Sequence, residues 1–400
     1  MTEPQQDLAS SNKEAGFHTG RVLFISGAHC FHDIFSGFLV PLLPPIISRL
    51  RLSLALAGSL TVIQRFPSLF NPFIGLLLDR FALRRVLIVC PLLTATLMCL
   101  IGLAPGYLAL AAVLLLAGVS ISFFHVQAPV VIARLSGPSV GRGMSYFMVG
   151  GELARTLAPL IAVGVVSLWS LEGTYRLLPL VAVAAVLAFW KLEPMPAGPP
   201  QKEGGSLLLS WRRMRRIYLA LLGILTVRGF MTAALVTYLP VFISRKGTGL
   251  WFAGISLSVL EAAGTGGTVA AGPLSDLVGR RAMLLAAMVM SPILMLVFLS
   301  LDGGWLLCCL LALGIVQFAI NPVMLALVQE NATESPATAN GIYMTMSFVV
   351  RSVIAVAVGY LGDRFGLQRT FFYSSVLALV GVPFALALPG GKKMTPSPPG

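Results

Sequence analysis

The sequence predicts an all-α membrane protein with 12 transmembrane helices in two pseudo-symmetric six-helix halves. Three observations carry this prediction. The chain is 57% hydrophobic and only 11% charged, whereas a soluble domain carries about 25% charged residues. A soluble chain this apolar would expose large adhesive patches. Twelve apolar stretches approach or exceed the ~20 residues that a spanning helix needs. Finally, a short motif occurs twice: residues 75–85 read GLLLDRFALRR and residues 272–281 read GPLSDLVGRR, which places Asp79 and Asp276 197 positions apart. A repeat at half the chain length, in a chain this apolar, implies duplicated membrane halves, an architecture common among secondary transporters.

The elements follow in order. Residues 1–20 are polar and contain no apolar signal-peptide core, so they read as a cytoplasmic tail ahead of a retained first span. The first half, 21–192, holds spans at 22–48, 54–78, 86–104, 107–133, 143–168 and 175–191. Pro41, Pro44 and Pro45 bend the first of these, and Gly150, Gly151 and Pro159 mark the fifth. Residues 193–206, EPMPAGPPQKEGGS, are too rich in Pro and Gly for a helix and open a cytoplasmic linker over 193–216. The second half, 217–388, repeats the plan at 217–244, 251–274, 282–300, 305–329, 337–360 and 369–388, and 389–400 is a tail. The halves start 196 residues apart, in agreement with the motif offset.

The net charge of +13 is distributed as a membrane protein distributes it. With both termini cytoplasmic, 17 of the 28 Lys and Arg fall on the cytoplasmic side, seven outside and four within spans. The densest cluster, Trp211 to Arg216, reads as a topology anchor facing anionic lipid rather than as a nucleic-acid patch. All five cysteines fall in predicted spans without metal-ligand spacing and read as packing residues. Neither an enzyme motif nor a Walker loop occurs, and no cofactor or metal is expected. Asn331-Ala332-Thr333 fits a glycosylation acceptor, but on this topology it faces the cytoplasm.

Ionisable groups inside spans cost ~2.5–3.5 kcal/mol each and generally face a cavity or a partner. Seven occur here: Asp33, Arg65, Glu152, Arg155, Arg228, Glu261 and Arg351, accompanied by His29, His32 and His125. The half-chain offset pairs them. Arg155 and Arg351 are 196 apart, as are Arg65 and Glu261, and His125 and Asn321; Asp33 and Arg228 are 195 apart. Arginines remain charged at any relevant pH, so a cavity flanked by Arg155 and Arg351 must hold an anion or supply carboxylates. Arg155, Arg351, Arg228, His125 and Asn321 are therefore the expected substrate-binding residues, and Arg155→Ala is expected to lose transport. Asp33, His29, Glu152 and Glu261 are the expected proton carriers. His29 lies one turn from Asp33 on the same helix face, and Glu152 is three residues from Arg155. His32, adjacent to Asp33, is expected to point elsewhere. The alternative is that all seven charges form structural salt bridges.

The repeated motif places Gly, Asp and an Arg pair where one helix ends and the next begins. Asp near a helix N-terminus is favoured by the helix dipole, and Arg can pair with it across the joint. Asp79, Arg80, Arg84, Arg85, Asp276, Arg280 and Arg281 thus read as conformational latches, and Arg65 with Glu261 as a gate or tie. The alternative is that the arginines only set topology.

Twelve spans, the 6+6 plan and these loops resemble the major facilitator superfamily, whose loop signature is Gly, Asp four residues on, Gly and a basic pair. Gly272, Asp276, Gly279, Arg280 and Arg281 match it; the first copy has Ala82 and Leu83 in place of the second Gly. A looser echo is Gly359, Asp363, Arg364 and Gly366. A narrower resemblance is to the fosmidomycin-resistance group. It rests on His29 to Asp33 (HCFHD), Phe124-His125, Val149-Gly150-Gly151, Leu157-Ala158-Pro159, Gln329-Glu330 and the stretch from Gly341 through Gly362-Asp363. The chain departs from the group at Val126, where a Pro is usual, and at Glu152, Arg155 and Arg351, where uncharged residues are usual. The resemblance implies a monomeric exporter of the bacterial inner membrane. It would exchange protons for a small organic anion or an anionic amphipathic drug such as a phosphonate. Proton-coupled uptake of a carboxylate or other metabolite is the alternative, and a non-transporting sensor or a lipid translocator a further one.

Overall fold

The computed structural model describes residues 17–71, 73–74, 83–192, 207–331 and 336–388, and among these the chain is all helical. The helices are α1 Thr19–Ser36, α2 Leu43–Leu50, α3 Leu54–Arg65, α4 Leu83–Cys99, α5 Tyr107–Leu135, α6 Val140–Trp169 and α7 Leu178–Lys191. They continue with α8 Leu207–Thr237, α9 Leu239–Arg245, α10 Gly249–Val278, α11 Arg280–Leu299, α12 Gly303–Asn331, α13 Pro336–Phe365, α14 Leu367–Ala378 and α15 Gly381–Leu386. Nine helical segments among the described residues are long and apolar enough to cross a membrane, so this is an integral membrane protein.

Three expected spans differ from this set. The first, 22–48, is broken into α1 and α2 by a turn over residues 37–42. Pro41 has no N–H for a helical ladder, whereas Pro44 and Pro45 fall in the first turn of α2, where no N–H is required. The second, 54–78, gives α3 and then a 3₁₀ turn Phe66–Phe70 with Pro67 at its start. The eighth, 251–274, is one continuous helix, α10, but Glu261 and its Gly- and Thr-rich centre keep it outside the apolar set. Span seven begins ten residues earlier than expected, at Leu207, and breaks at Tyr238, the second residue before Pro240.

Two compact units result: Met1–Leu50 with Val62–Gln201, and Arg51–Thr61 with Lys202–Gly400. The first has a core that includes Val22, Ile25, Leu87, Phe124 and Val131. Within it α1 lies close against α6, because Gly150 and Gly151 present no side chain there. A Cβ on Gly150 would lie 2.4 Å from the Ser26 carbonyl oxygen, and one on Gly151 2.8 Å from Cε1 of His29. The second unit has a core that includes Tyr218, Leu221, Leu284, Met288 and Met324. There α10 packs on α12 through glycines: a Cβ on Gly267 would lie 2.1 Å from the Ile315 carbonyl oxygen.

The short segment 51–61 belongs to the second unit for a local chemical reason. A helix start leaves its first backbone N–H groups without partners. At α3 these are filled from two sources. Leu54 N and Ala55 N donate to Asp363 Oδ1 and Oδ2 at 2.8 and 3.0 Å, and Leu56 N donates to Ser53 Oγ at 3.1 Å. The fully buried Tyr238 hydroxyl lies within donating distance of both the Leu54 and Ala355 carbonyl oxygens, at 2.9 and 2.8 Å. Gly58 and Gly359 leave room for it; a Cβ on either would lie 2.0 or 2.4 Å from that oxygen. Asp363→Ala leaves two amides of α3 without an acceptor and is expected to cost about 1 kcal/mol. Thermal unfolding in detergent reads this directly, with Asp363→Asn, which keeps one acceptor, falling between; equal midpoints for all three proteins would show that water replaces the cap.

Candidate functional site

In the first unit, the 3.6-residue period of α1 puts Ser26, His29 and His32 on its buried side, and Asp33 follows. Three imidazoles converge on the Asp33 carboxylate: His29 Nε2 at 3.1 Å from Oδ2, His32 Nδ1 at 2.8 Å from Oδ1, and His125 Nε2 at 3.1 Å from Oδ1. The side chains of His29 and His32 are 5% and 0% exposed, Asp33 is 15% and His125 36%, so the cluster meets its surroundings on the His125 side.

The hydrogen count of this cluster is constrained by its neighbours. His29 Nδ1 lies 2.8 Å from the Phe147 carbonyl oxygen, which can only accept, so Nδ1 carries the hydrogen. In a neutral ring Nε2 is then a bare lone pair, and it faces Asp33 Oδ2. His32 is fixed by a chain of hydroxyls. Ser120 Oγ donates to the Cys90 carbonyl oxygen, and Thr94 Oγ1 donates to Ser120 Oγ, both at 2.8 Å. Both hydroxyl hydrogens are thereby used, so His32 Nε2 must donate to Thr94 Oγ1 at 3.2 Å. Its Nδ1 is bare in the neutral ring, and it too faces the carboxylate. With Asp33 ionised and both rings neutral, two contacts set acceptor against acceptor. The cluster is satisfied only when it holds additional positive charge, as protons or as a cation.

Gly151 supports this arrangement by letting the His29 ring lie flat on Phe147, with centroids 3.8 Å apart. Gly151→Ala is expected to displace that ring and cost about 1–3 kcal/mol. A lowered thermal midpoint checks this, and an unchanged one means the ring moves freely.

The second unit holds a different polar group. Arg228 on α8 is 4% exposed. Its Nη1 donates to Asn321 Oδ1 at 3.3 Å, its Nη2 donates to the Gln317 carbonyl oxygen, and its buried Nε has no partner. Gln317 Nε2 donates to Thr232 Oγ1 at 2.8 Å, while Gln317 Oε1 has no partner. Among the described residues no carboxylate forms an ion pair with Arg228. A buried guanidinium held by neutral oxygens carries a positive charge that these partners do not compensate. Arg351 on α13 is exposed, and its Nε and Nη2 donate to Ser347 O and Oγ at 3.2 and 2.5 Å, one turn back on its own helix.

The other expected site residues are distributed as follows. Arg155 and Glu152 form an ion pair within α6. Arg65 is the exposed last residue of α3, and Glu261 is half-buried in the middle of α10. Arg280 contacts Asp276 Oδ1 at 2.5 Å and Glu330 Oε1 at 2.9 Å, and it also bonds Ser275 Oγ. Arg281 is half-buried and Arg85 exposed. Arg84 Nη2 donates to the Phe189 carbonyl oxygen at 2.8 Å, with its guanidinium over the Phe189 ring. Asp79 and Arg80 lie outside the described residues. One expectation is corrected: His32 does not point away from Asp33. Its Nδ1, the ring nitrogen nearest its own backbone, reaches the neighbouring carboxylate. Spacing alone missed Glu330, Gln317, Thr94, Ser120 and the Phe147 carbonyl. Glu330 had a signal in Gln329-Glu330; the hydroxyls had only their polarity within apolar spans, and a main-chain carbonyl has no sequence signal.

A family model described as Major Facilitator Superfamily matches residues 25–355. The Fosmidomycin resistance protein of Escherichia coli is 22% identical over 390 residues, covering 95% of each chain. The uncharacterized MFS-type transporter YfnC of Bacillus subtilis is 25% identical over 390 residues, covering 93% of this chain and 94% of its own. Among solved structures, a bacterial homolog of the human lysosomal transporter Spinster superposes with a TM-score of 0.79 at 14% identity, over 93% of this chain and 97% of that one. Family and fold are those of transporters rather than enzymes.

Proposed function

Because the chain belongs to the major facilitator superfamily, we propose that it is a proton-coupled secondary transporter that exports a small organic anion, or an amphipathic compound with an anionic group such as a phosphonate, by alternating access. One observation carries the proton part: two buried histidines, each with its hydrogen committed to another acceptor, face the Asp33 carboxylate. In such a group an added proton turns a contact between two acceptors into a donated hydrogen bond, so its occupancy is coupled to the local geometry, as a carrier that loads and releases requires. Asp33 and His29 hold the proton in this reading, and His125, the exposed member, exchanges it with the pathway.

Arg228 supports the anionic character of the substrate, with Asn321 beside it and Arg351 and Arg155 as further cations. The anion takes the Nε hydrogen that has no partner, and Glu152 neutralises Arg155 when no substrate is bound. Export follows the relative named for fosmidomycin resistance. Asp276, Arg280 and Glu330 form the latch, with Arg281, Arg84 and Arg85 as neighbouring basic residues. The reading includes a monomer in a bacterial inner membrane with both termini cytoplasmic. Uptake by proton cotransport differs only in the sense of the exchange.

Purified protein in liposomes tests this. An imposed pH gradient is expected to drive phosphonate or carboxylate flux against the proton flow, accompanied by measurable proton counter-movement. Flux of anions in the same direction as protons would replace export with uptake, and flux of cationic drugs indifferent to Arg228 would remove the anion assignment.

A further inference from the structure

We infer that the Asp33 cluster is also a binding site for one first-row divalent cation of the zinc kind, held by His29 Nε2, His125 Nε2 and the Asp33 carboxylate. The three ligand atoms lie within 4.8 Å of one another. Proximity alone would be weak evidence, since carboxylates and imidazoles also meet in plain hydrogen bonds. Three features separate this group from that case.

The first is the tautomer. A metal-binding histidine almost always donates its other ring N–H to a carbonyl or carboxylate, which turns a lone pair toward the ion. His29 does this: Nδ1 donates to the Phe147 carbonyl oxygen, and its ring is held flat against the Phe147 ring. The second is the alignment of His29 Nε2. This nitrogen is buried and has no hydrogen-bond partner, although Asp33 Oδ2 is only 3.1 Å away. Nitrogen and oxygen are close but not aimed along a common N–H···O line, as expected for two donors directed at a third point. In a tetrahedral zinc shell with bonds of about 2.0–2.1 Å, neighbouring ligand atoms lie about 3.3 Å apart. His29 and His125 each reach one carboxylate oxygen at 3.1 Å, Oδ2 and Oδ1 respectively, so the carboxylate lies between the two imidazoles and a modest closure of the three ligands around an ion gives that spacing.

The third feature is the donor set and its charge. Two imidazoles with one carboxylate suit zinc, nickel, copper or iron; magnesium and calcium take oxygen ligands. A divalent cation takes up the His29 lone pair that faces Asp33, while the His32 Nδ1 contact to Oδ1 is satisfied by a proton on that ring. His32, fully buried and tied through Thr94 and Ser120 to the Cys90 carbonyl, acts as a positioning residue, with Nδ1 on Asp33 Oδ1 at 2.8 Å. Three protein ligands leave a fourth position open toward the exposed side of His125, where water or the oxygen of an anionic solute fits.

The test uses full-length protein without a histidine tag, stripped with chelator, in detergent. Zn²⁺ is titrated by calorimetry, and the bound ion is examined by X-ray absorption. One ion per chain is expected, with scattering from at least two imidazoles. His29→Gln and His125→Gln should each weaken binding about tenfold or more, and His18→Gln should leave it unchanged. Because His125 is partly exposed, its Gln variant tests the site without opening the core; gel filtration of each variant checks the fold. Absence of saturable uptake, an oxygen-only shell, or undiminished binding in both variants would overturn the site. Proton-driven flux measured in the presence of chelator is a separate readout. It can persist without a metal site, and metal can bind without it, so failure of one assignment does not mimic failure of the other.

Discussion

Asp33→Asn abolishes transport driven by a proton gradient while leaving the protein folded: this is the largest effect expected of any single substitution here. The argument is steric and then electrostatic. Asn occupies the same volume, so the α1–α6 contact at Gly150 and Gly151 is preserved. Its carboxamide has both a carbonyl oxygen and an NH₂ group. The NH₂ can donate to the bare nitrogen of His29 or His32, a contact that in the native protein needs an added proton. The substitution thus satisfies part of the cluster permanently and removes the charge that makes its occupancy switch. In liposomes, flux driven by a pH gradient should fall to background, while binding of the substrate to the detergent-solubilised protein changes little. Full gradient-driven flux in Asp33→Asn would take Asp33 out of the coupling step; loss of binding with normal folding would move it to the substrate site.

Arg228→Met is the second large effect, and its two consequences have opposite signs. Arg228 is buried, and its guanidinium is held by an amide oxygen and a carbonyl oxygen rather than by a carboxylate. Removing a charge from water costs several kcal/mol, and neutral acceptors return only part of that. Apolar replacement of buried charges is often neutral or stabilising by about 1–4 kcal/mol, and Met is close to the Arg stem in length and flexibility. The variant is therefore expected to unfold at the same temperature as the native protein or higher, while losing most of its anion affinity. A large drop in the melting midpoint would show instead that Arg228 is a structural tie between α8 and α12. Retained anion binding with a raised midpoint would leave Arg351 and Arg155 as the binding cations.

The ion-pair cluster at Arg280 shows what a sequence makes legible. Gly272, Asp276 and Arg280 stood out because a spaced motif recurred at half the chain length, and Asp276 and Arg280 do meet. Glu330, fifty residues away on α12, completes the contact, and nothing in the motif pointed to it. The same holds at Asp33. Helical spacing brought His29 to it, since positions four apart share a face. His32 escapes the spacing argument because spacing describes where Cα–Cβ bonds point, not how far a ring nitrogen close to the backbone can reach. His125 was expected at the substrate, yet its described partner is the Asp33 carboxylate. Among the spans, composition located apolar length well but not continuity. Pro41 and Pro67 divide stretches that hydropathy alone runs together.

What the sequence by itself determined is that the chain is helical, apolar enough for a bilayer, and carries one loop motif twice. Each of these follows from composition or period, which are local properties. Which histidine nitrogen is a bare lone pair, which oxygens hold the Arg228 guanidinium, and which carboxylate caps α3 were decided only by the tertiary structure. The deciding partners are the Phe147 carbonyl, 118 residues from His29; Gln317, 89 residues from Arg228; and Asp363, 309 residues from Leu54. Hydrogen bonds are directional and short-ranged, so their pattern exists only once packing has brought such distant groups to within about 3 Å.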